Sequence, residues 1–264
     1  MRISFATICI ILLTNISSNA QLLYPESYVI IFDTTRTYKG TIAPSVEIKT
    51  PKELYVEINN RANIAYRLKN HGIIVANNFE LTKNGSQTIL SGGYLYFKFK
   101  IFYDNPLVLE HYAQYQWADA RGMSQKYAAG SNLRYKIYKN LNGGAFAGIG
   151  PFYEYEQWNY TAVPTDKLPE VLSIVETHLF KLNAYVSIRQ TLTDKVKAEF
   201  AFYYQDPFED LFKNPRIGGS LGISYSFTST VAFAVQYRML YDFKPVVPVD
   251  NLWYNAFTEL QVTF

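Results

Sequence analysis

From about residue 40 to its end the chain alternates apolar and polar side chains with a period of two, and turn-forming residues break the pattern at short intervals. The final stretch, WYNAFTELQVTF, sets Tyr254, Ala256, Thr258, Leu260, Val262 and Phe264 on one side against Trp253, Asn255, Glu259, Gln261 and Thr263 on the other. Successive side chains of a strand point to opposite faces, so this segment has one apolar and one wet face. The same alternation recurs upstream. Ile42, Pro44, Val46 and Ile48 are followed by a strand over roughly 53 to 69, then by others near 72 to 83, 87 to 103, 107 to 118 and 125 to 138. A strand carrying Tyr153 and Tyr155 against Glu154 and Glu156 comes next, and after it strands near 178 to 191, 195 to 205, 215 to 227 and 229 to 241. Asn84-Gly85 is a strong hairpin signal, and Asp104-Asn105-Pro106, Asp119 to Gly122 and Asn140 to Gly144 mark further turns.

Twelve strands is an even number, as a closed antiparallel barrel requires. With Phe264 at one end, the connections near 70, 105, 141, 193 and 228 fall at that end and are short, while those near 51, 85, 121, 168, 208 and 247 include every long one. Short turns on one side and longer loops on the other are the pattern of an outer-membrane barrel, whose strands cross the bilayer in about 9 to 11 residues. The expected fold is therefore all-β: a closed antiparallel transmembrane β-barrel of about 12 strands. In the longest connection, Asn159 to Thr177, Leu168 to Glu176 has the pattern for one or two helical turns.

The wet faces carry Arg61, Arg67, Lys98, Lys100, Arg134, Lys136, Lys181, Arg189, Lys197, Arg216 and Arg238 against Glu57, Glu154, Glu156, Glu199 and Glu259. Lys or Arg facing lipid at the midplane of a barrel costs about 2 to 4 kcal/mol, so these groups line the lumen. Two outcomes are open. If the passage is water-filled, the cationic excess favours small anionic solutes; if the charges pair, they seal it. Gly218 and Gly222, on the inward side, leave room for a plug segment such as 21 to 36 or the 159 to 177 loop.

Residues 1 to 20 have the form of a cleaved signal peptide: Arg2, the apolar Ile3 to Leu13, then Ser18-Asn19-Ala20 before Gln21. The only cysteine, Cys9, lies within that leader. A mature chain then has neither disulfide nor thiol nucleophile. Residues 21 to 39 read as an N-terminal periplasmic tail, a segment tucked into the barrel mouth, or a short extra strand; residues 40 to 264 form the barrel. Loss of Arg2 changes the formal net charge from +3 to +2, too balanced for a nucleic-acid partner. Twenty-three Tyr and eighteen Phe suit a chain whose rings sit at membrane interfaces. The three histidines, His71, His111 and His178, are too dispersed for one metal site, and no glycine loop cradles phosphate. No cofactor is expected. A rim hydrolase built on His178, Asp206 and Asp210 is the enzymatic alternative to a non-catalytic barrel, and a surface-binding module acting through the outer loops is another.

Three runs carry a family resemblance: Asn60 to Tyr66 (NRANIAY), Glu110 to Gln116 (EHYAQYQ) and Gly148 to Glu156 (GIGPFYEYE). They are similar to the salt-stress-induced outer-membrane proteins grouped as domain of unknown function 481. The resemblance implies a small bacterial outer-membrane barrel, sometimes linked to osmotic or salt stress, with no assigned reaction; the barrel is expected to be a monomer. It acts as a narrow pore or as a structural component of the envelope. The terminal Phe264 likewise resembles the signal that the barrel-assembly machinery reads in outer-membrane barrels, and such a barrel has outer-membrane lipid as its other partner.

Overall fold

A computed structural model describes residues 37–50 and 53–264. The proposed leader, with Cys9, and residues 21–36 lie outside the described residues. Twelve strands follow one another: β1 (Tyr38–Lys49), β2 (Tyr55–Leu68), β3 (His71–Asn84), β4 (Gln87–Ile101), β5 (Leu107–Ala118), β6 (Met123–Asn140), β7 (Gly143–Trp158), β8 (Val175–Thr191), β9 (Val196–Pro207), β10 (Arg216–Ser226), β11 (Val231–Asp242) and β12 (Leu252–Thr263). Every sequential pair is antiparallel, and β12 returns to β1 to close the barrel. β1 starts at Tyr38, two residues before the expected boundary.

Closure is a physical requirement if the outer face meets hydrocarbon, because unpaired backbone N–H and C=O groups there cost several kcal/mol each. The outer face has the chemistry for it. Leu95, Ile149 and Leu221 are 53%, 52% and 49% exposed, and Phe97, Leu133, Phe200, Ile223 and Leu260 share their situation. Near the end with the longer connections, aromatic rings touch in a band across β3, β5, β6, β7 and β8. Phe79 meets Trp117 (centroids 6.3 Å apart), Tyr115 meets Trp117 (5.7 Å) and Tyr127 (4.9 Å), Tyr127 meets Tyr155 (6.1 Å), and Tyr155 meets His178 (4.8 Å). Amphipathic rings in such a girdle suit a membrane interface. Among the described residues no helix is long and apolar enough to cross a membrane.

The connections sort as expected. Residues 69–70, 102–106, 141–142, 192–195 and 227–230 turn the chain at the Phe264 end, and 159–174 and 243–251 lie at the opposite, outer end. The helical expectation for 168–176 fails. Only Thr165–Lys167 forms a 3-10 turn, Leu168 is extended (ψ 134°), and β8 begins at Val175. Proline pushes the residue before it out of the helical region, and Pro169 does this to Leu168. The β-branched residues Val171, Ile174 and Val175 then favour extension, and Val175 pairs with Trp158.

One contact stands apart from the other eleven. β1 and β12 register only at Thr41↔Thr263 and Ile42↔Val262, beside reciprocal backbone bonds between Gly40 and Phe264 (3.0 and 3.1 Å). A Cβ at Gly40 would meet the Phe264 ring, which would have to shift to make room.

Candidate functional site: the charged interior

The alternation that turns Leu95, Phe97 and Phe99 outward turns Tyr94, Tyr96, Lys98 and Lys100 inward, and the last four are at most 2% exposed. Toward the Phe264 end, Glu110 of β5 is fully buried and gathers Lys98 Nζ (3.3 Å), Lys100 Nζ (3.4 Å) and Arg134 Nη1 (3.6 Å). The Tyr185 hydroxyl donates to Glu110 Oε2 at 2.7 Å. Its ring reaches that position because Gly148, opposite on β7, has no side chain to obstruct it. The Arg134 guanidinium lies 3.6 Å from the Phe146 ring centroid, so an apolar wall supports the cation as well.

Farther toward the outer end a second cluster is built on Glu154 and Glu156, each 1% exposed. Lys126 and Lys181 both bind Glu154, and Lys126 also reaches Glu156 at 2.8 Å. Arg216 forks onto Glu156 (Nη1 to Oε1 2.8 Å, Nη2 to Oε2 3.2 Å) and donates its Nε to Asp242 at 2.9 Å. Trp158 Nε1 donates to Glu156 Oε2 at 3.1 Å. Three cations therefore meet three carboxylates, and each ion that leaves water finds a partner of opposite sign. Asn183 links the two levels, donating to Asn132 Oδ1 (3.2 Å) and accepting from Gln205 (3.3 Å).

Other predicted lumen residues sit around this axis. Arg189 pairs with Glu199, and Arg61 pairs with Glu259 while lying 4.2 Å from the Phe257 ring. Arg238 approaches the same ring from β11 at 5.2 Å. Lys136 binds the Asp104 carbonyl at the turn between β4 and β5, Arg67 lies at the inner end beside Thr37, and Lys197 is solvent-exposed at the inner mouth. Gly222 faces the Gln236 side chain, which fills the space expected for a plug segment; residues 21 to 36, the other candidate, lie outside the described residues.

Different chemistry gathers at the outer mouth. Val163 from the 159–174 loop and Val247 and Val249 from the 243–251 loop pack on Ala118, Met123 and Trp158, with Trp253 against the cluster. Arg121, 4% exposed, lies beneath them, 4.3 Å from the Trp253 ring and 5.7 Å from Trp158. Between the charges and the walls are cavities of ≈ 40 Å³ and ≈ 20 Å³. A buried water needs about 10 to 15 Å³, so each has room for a few waters.

Sequence reasoning missed Glu110, Lys126, Asp242, Tyr185 and Arg121. Glu110 shares its inward face with Val108 and Tyr112, so the contrast between faces in β5 is weak and hides the carboxylate. The rim trio does not form a site. His178 faces outward and bonds Tyr153 through Nδ1 (2.8 Å), Asp206 is fully buried accepting from Tyr204 (2.7 Å) and the Phe212 N–H, and Asp210 pairs with Lys213 (3.1 Å). Among the described residues no three His, Cys, Asp or Glu groups gather as a metal site.

The family model described as "Protein of unknown function, DUF481" matches residues 56–251. No match is found among curated proteins. Of solved structures, the NanC porin aligns over 86% of this chain and 98% of its own at 13% identity, with a TM-score of 0.45. The Pseudomonas putida toluene transporter TodX aligns over 86% and 87% at 8% identity (TM-score 0.33). OmpT, an outer membrane protein of Vibrio cholerae, aligns over 86% and 96% at 10% identity (TM-score 0.29).

Proposed function

Since the chain belongs to the DUF481 family, whose description leaves function unassigned, we propose that it is an outer-membrane barrel with a sealed lumen, a structural component of the envelope rather than a standing pore. The observation that carries this reading is the buried ion network. Glu110 and the Glu154–Glu156 pair sit at two levels of the barrel and hold six cations between them, and two pockets among the described interior residues measure ≈ 40 and ≈ 20 Å³. The apolar cap at the outer mouth adds a second barrier. Outward aliphatic side chains and the aromatic girdle supply the contact with membrane lipid. A barrel cross-linked internally by charge resists deformation, which suits the osmotic or salt-stress setting that the family resemblance implies. The test is planar-bilayer recording of the refolded protein. Silence in high salt is the expected result, and steady steps of current that scale with salt concentration would overturn the proposal.

A further inference from the structure

Midway up the lipid-facing side of β5 and β6 stands a polar rung. His111 of β5 lies directly across from Ser131 of β6, both on the outside of the barrel, and His111 Nδ1 is 2.7 Å from Ser131 Oγ. The aromatic girdle fixes its depth. Tyr115 and Tyr127, a registered pair, lie four residues along the two strands from this rung, with Ala113 and Ala129 between. Four residues of strand rise about 13 Å, or about 10 Å along the membrane normal at a tilt of about 40°, and the apolar band of a barrel is about 25 Å tall. The rung therefore sits near the middle of the hydrocarbon, with Leu109 and Leu133 paired on its other side. The backbone ladder lapses at the same place. Between β6 and β7 the register passes from Gly130↔Phe152 to Leu133↔Ile149 with no pair formed at Ser131 or Asn132, and Pro151, which that register sets opposite Ser131, has no N–H to offer.

We propose that this rung is the centre of a two-fold contact between two copies of the barrel, in place of the monomer expected from the sequence. The inference rests on the membrane reading above, since in water neither the polar pair nor the lapse in the ladder would need covering. Ionisable side chains within a membrane face protein or water rather than lipid, and irregular backbone at that depth is tolerated where protein covers it. Lipid tails supply neither donor nor acceptor. The hydrogen-bonding capacity of the rung then selects the partner. With Ser131 Oγ–H donating to Nδ1, the imidazole proton is on Nε2 and the Ser131 oxygen can still accept; in the other tautomer Nε2 accepts and the Ser131 hydroxyl can still donate. Neither side chain makes another hydrogen bond among the described residues. In both tautomers the rung offers one donor beside one acceptor, and so is complementary to itself. Two barrels inserted with the same orientation are related by an axis along the membrane normal. The rung of one then meets the same rung of the other at equal height, histidine to serine twice over. Ala113 and Ala129, exposed next to it, let the two walls approach closely.

Single-molecule photobleaching of N-terminally labelled protein in liposomes, diluted stepwise with lipid, tests this. Wild type should bleach in two steps, giving way to one step only at high dilution. His111→Leu and Ser131→Ala each remove polarity from a lipid-facing position, so insertion, judged by heat-modifiable gel migration, should survive. Each should raise the dissociation constant of the dimer about tenfold, the scale of two polar bonds within a bilayer. Oxidation of Ala129→Cys should cross-link the two copies, while Leu221→Cys, exposed on β10 away from this wall, should not; oxidised wild type controls for Cys9. One-step bleaching of wild type at every dilution, dimers equally tight in both variants, or equal cross-linking at 129 and 221 overturns the contact and leaves the sealed barrel standing. Failure of wild type to insert overturns the barrel reading itself.

Discussion

At the scale of single residues the interior is a set of paired charges, and removing one member strands its partner. Arg216 touches Glu154, Glu156 and Asp242, and replacing it leaves three buried carboxylates facing two lysines. Breaking a buried pair by removing one partner costs about 3 to 5 kcal/mol. Arg216→Ala should therefore lower urea stability of the folded barrel by about that amount, read from the midpoint shift of unfolding in detergent. Tyr185→Phe removes one hydrogen bond from Glu110 and keeps the ring over Gly148, so a smaller loss of about 1.5 to 3 kcal/mol is expected, the range for a bond to a charged group. Phe264 holds the seam through its backbone bonds to Gly40, and the assembly signal expected of a terminal Phe would be read from its ring. Phe264→Ala keeps the backbone bonds. Refolding into detergent should survive, while the amount of assembled barrel in cells falls; equal yields in cells would remove the signal reading.

Among elements, the proposed seal has two separate parts, the two loops at the outer mouth and the two clusters within the lumen. Deleting residues 160–173 removes Val163 from the apolar cap but touches neither Glu110 nor the Glu154–Glu156 cluster. The deletion should leave bilayer conductance at baseline. If current appears, the cap and not the ion network closes the lumen. That loop also shows where local pattern misleads. The proline near the start of Leu168 to Glu176 reads as the opening of a helical turn, yet it holds Leu168 extended, and Val175 pairs with Trp158. The alternating strands were easier to place, because a period of two survives any change of neighbour. β5 was the hardest to read on its inward side, since Val108 and Tyr112 flank Glu110 and dilute the polar signal.

For the molecule as a whole, the inward charges set what an unsealed form would pass. Around Glu110 alone stand Lys98, Lys100 and Arg134. A double variant that thins both clusters while staying folded, Lys126→Ala with Tyr185→Ala, should conduct weakly and prefer anions, measured as a reversal-potential shift in a salt gradient. Cation preference would show that the cationic excess does not set the field along the axis.

The sequence by itself determined the strand count, the inward and outward faces, the end at which the short turns lie and the presence of charge inside. Each follows from a local rule: side chains alternate along a strand, turns need particular residues, and charge avoids hydrocarbon. Tertiary structure alone decided which of those charges pair, because pairing depends on which strands the curvature brings face to face across the lumen. Glu110 lies 75 residues from Tyr185, and Arg216 lies 60 from Glu156. It alone also decided that the ring closes through one short seam. Alternation marks β1 and β12 as strands but says nothing of how far two chain ends run together.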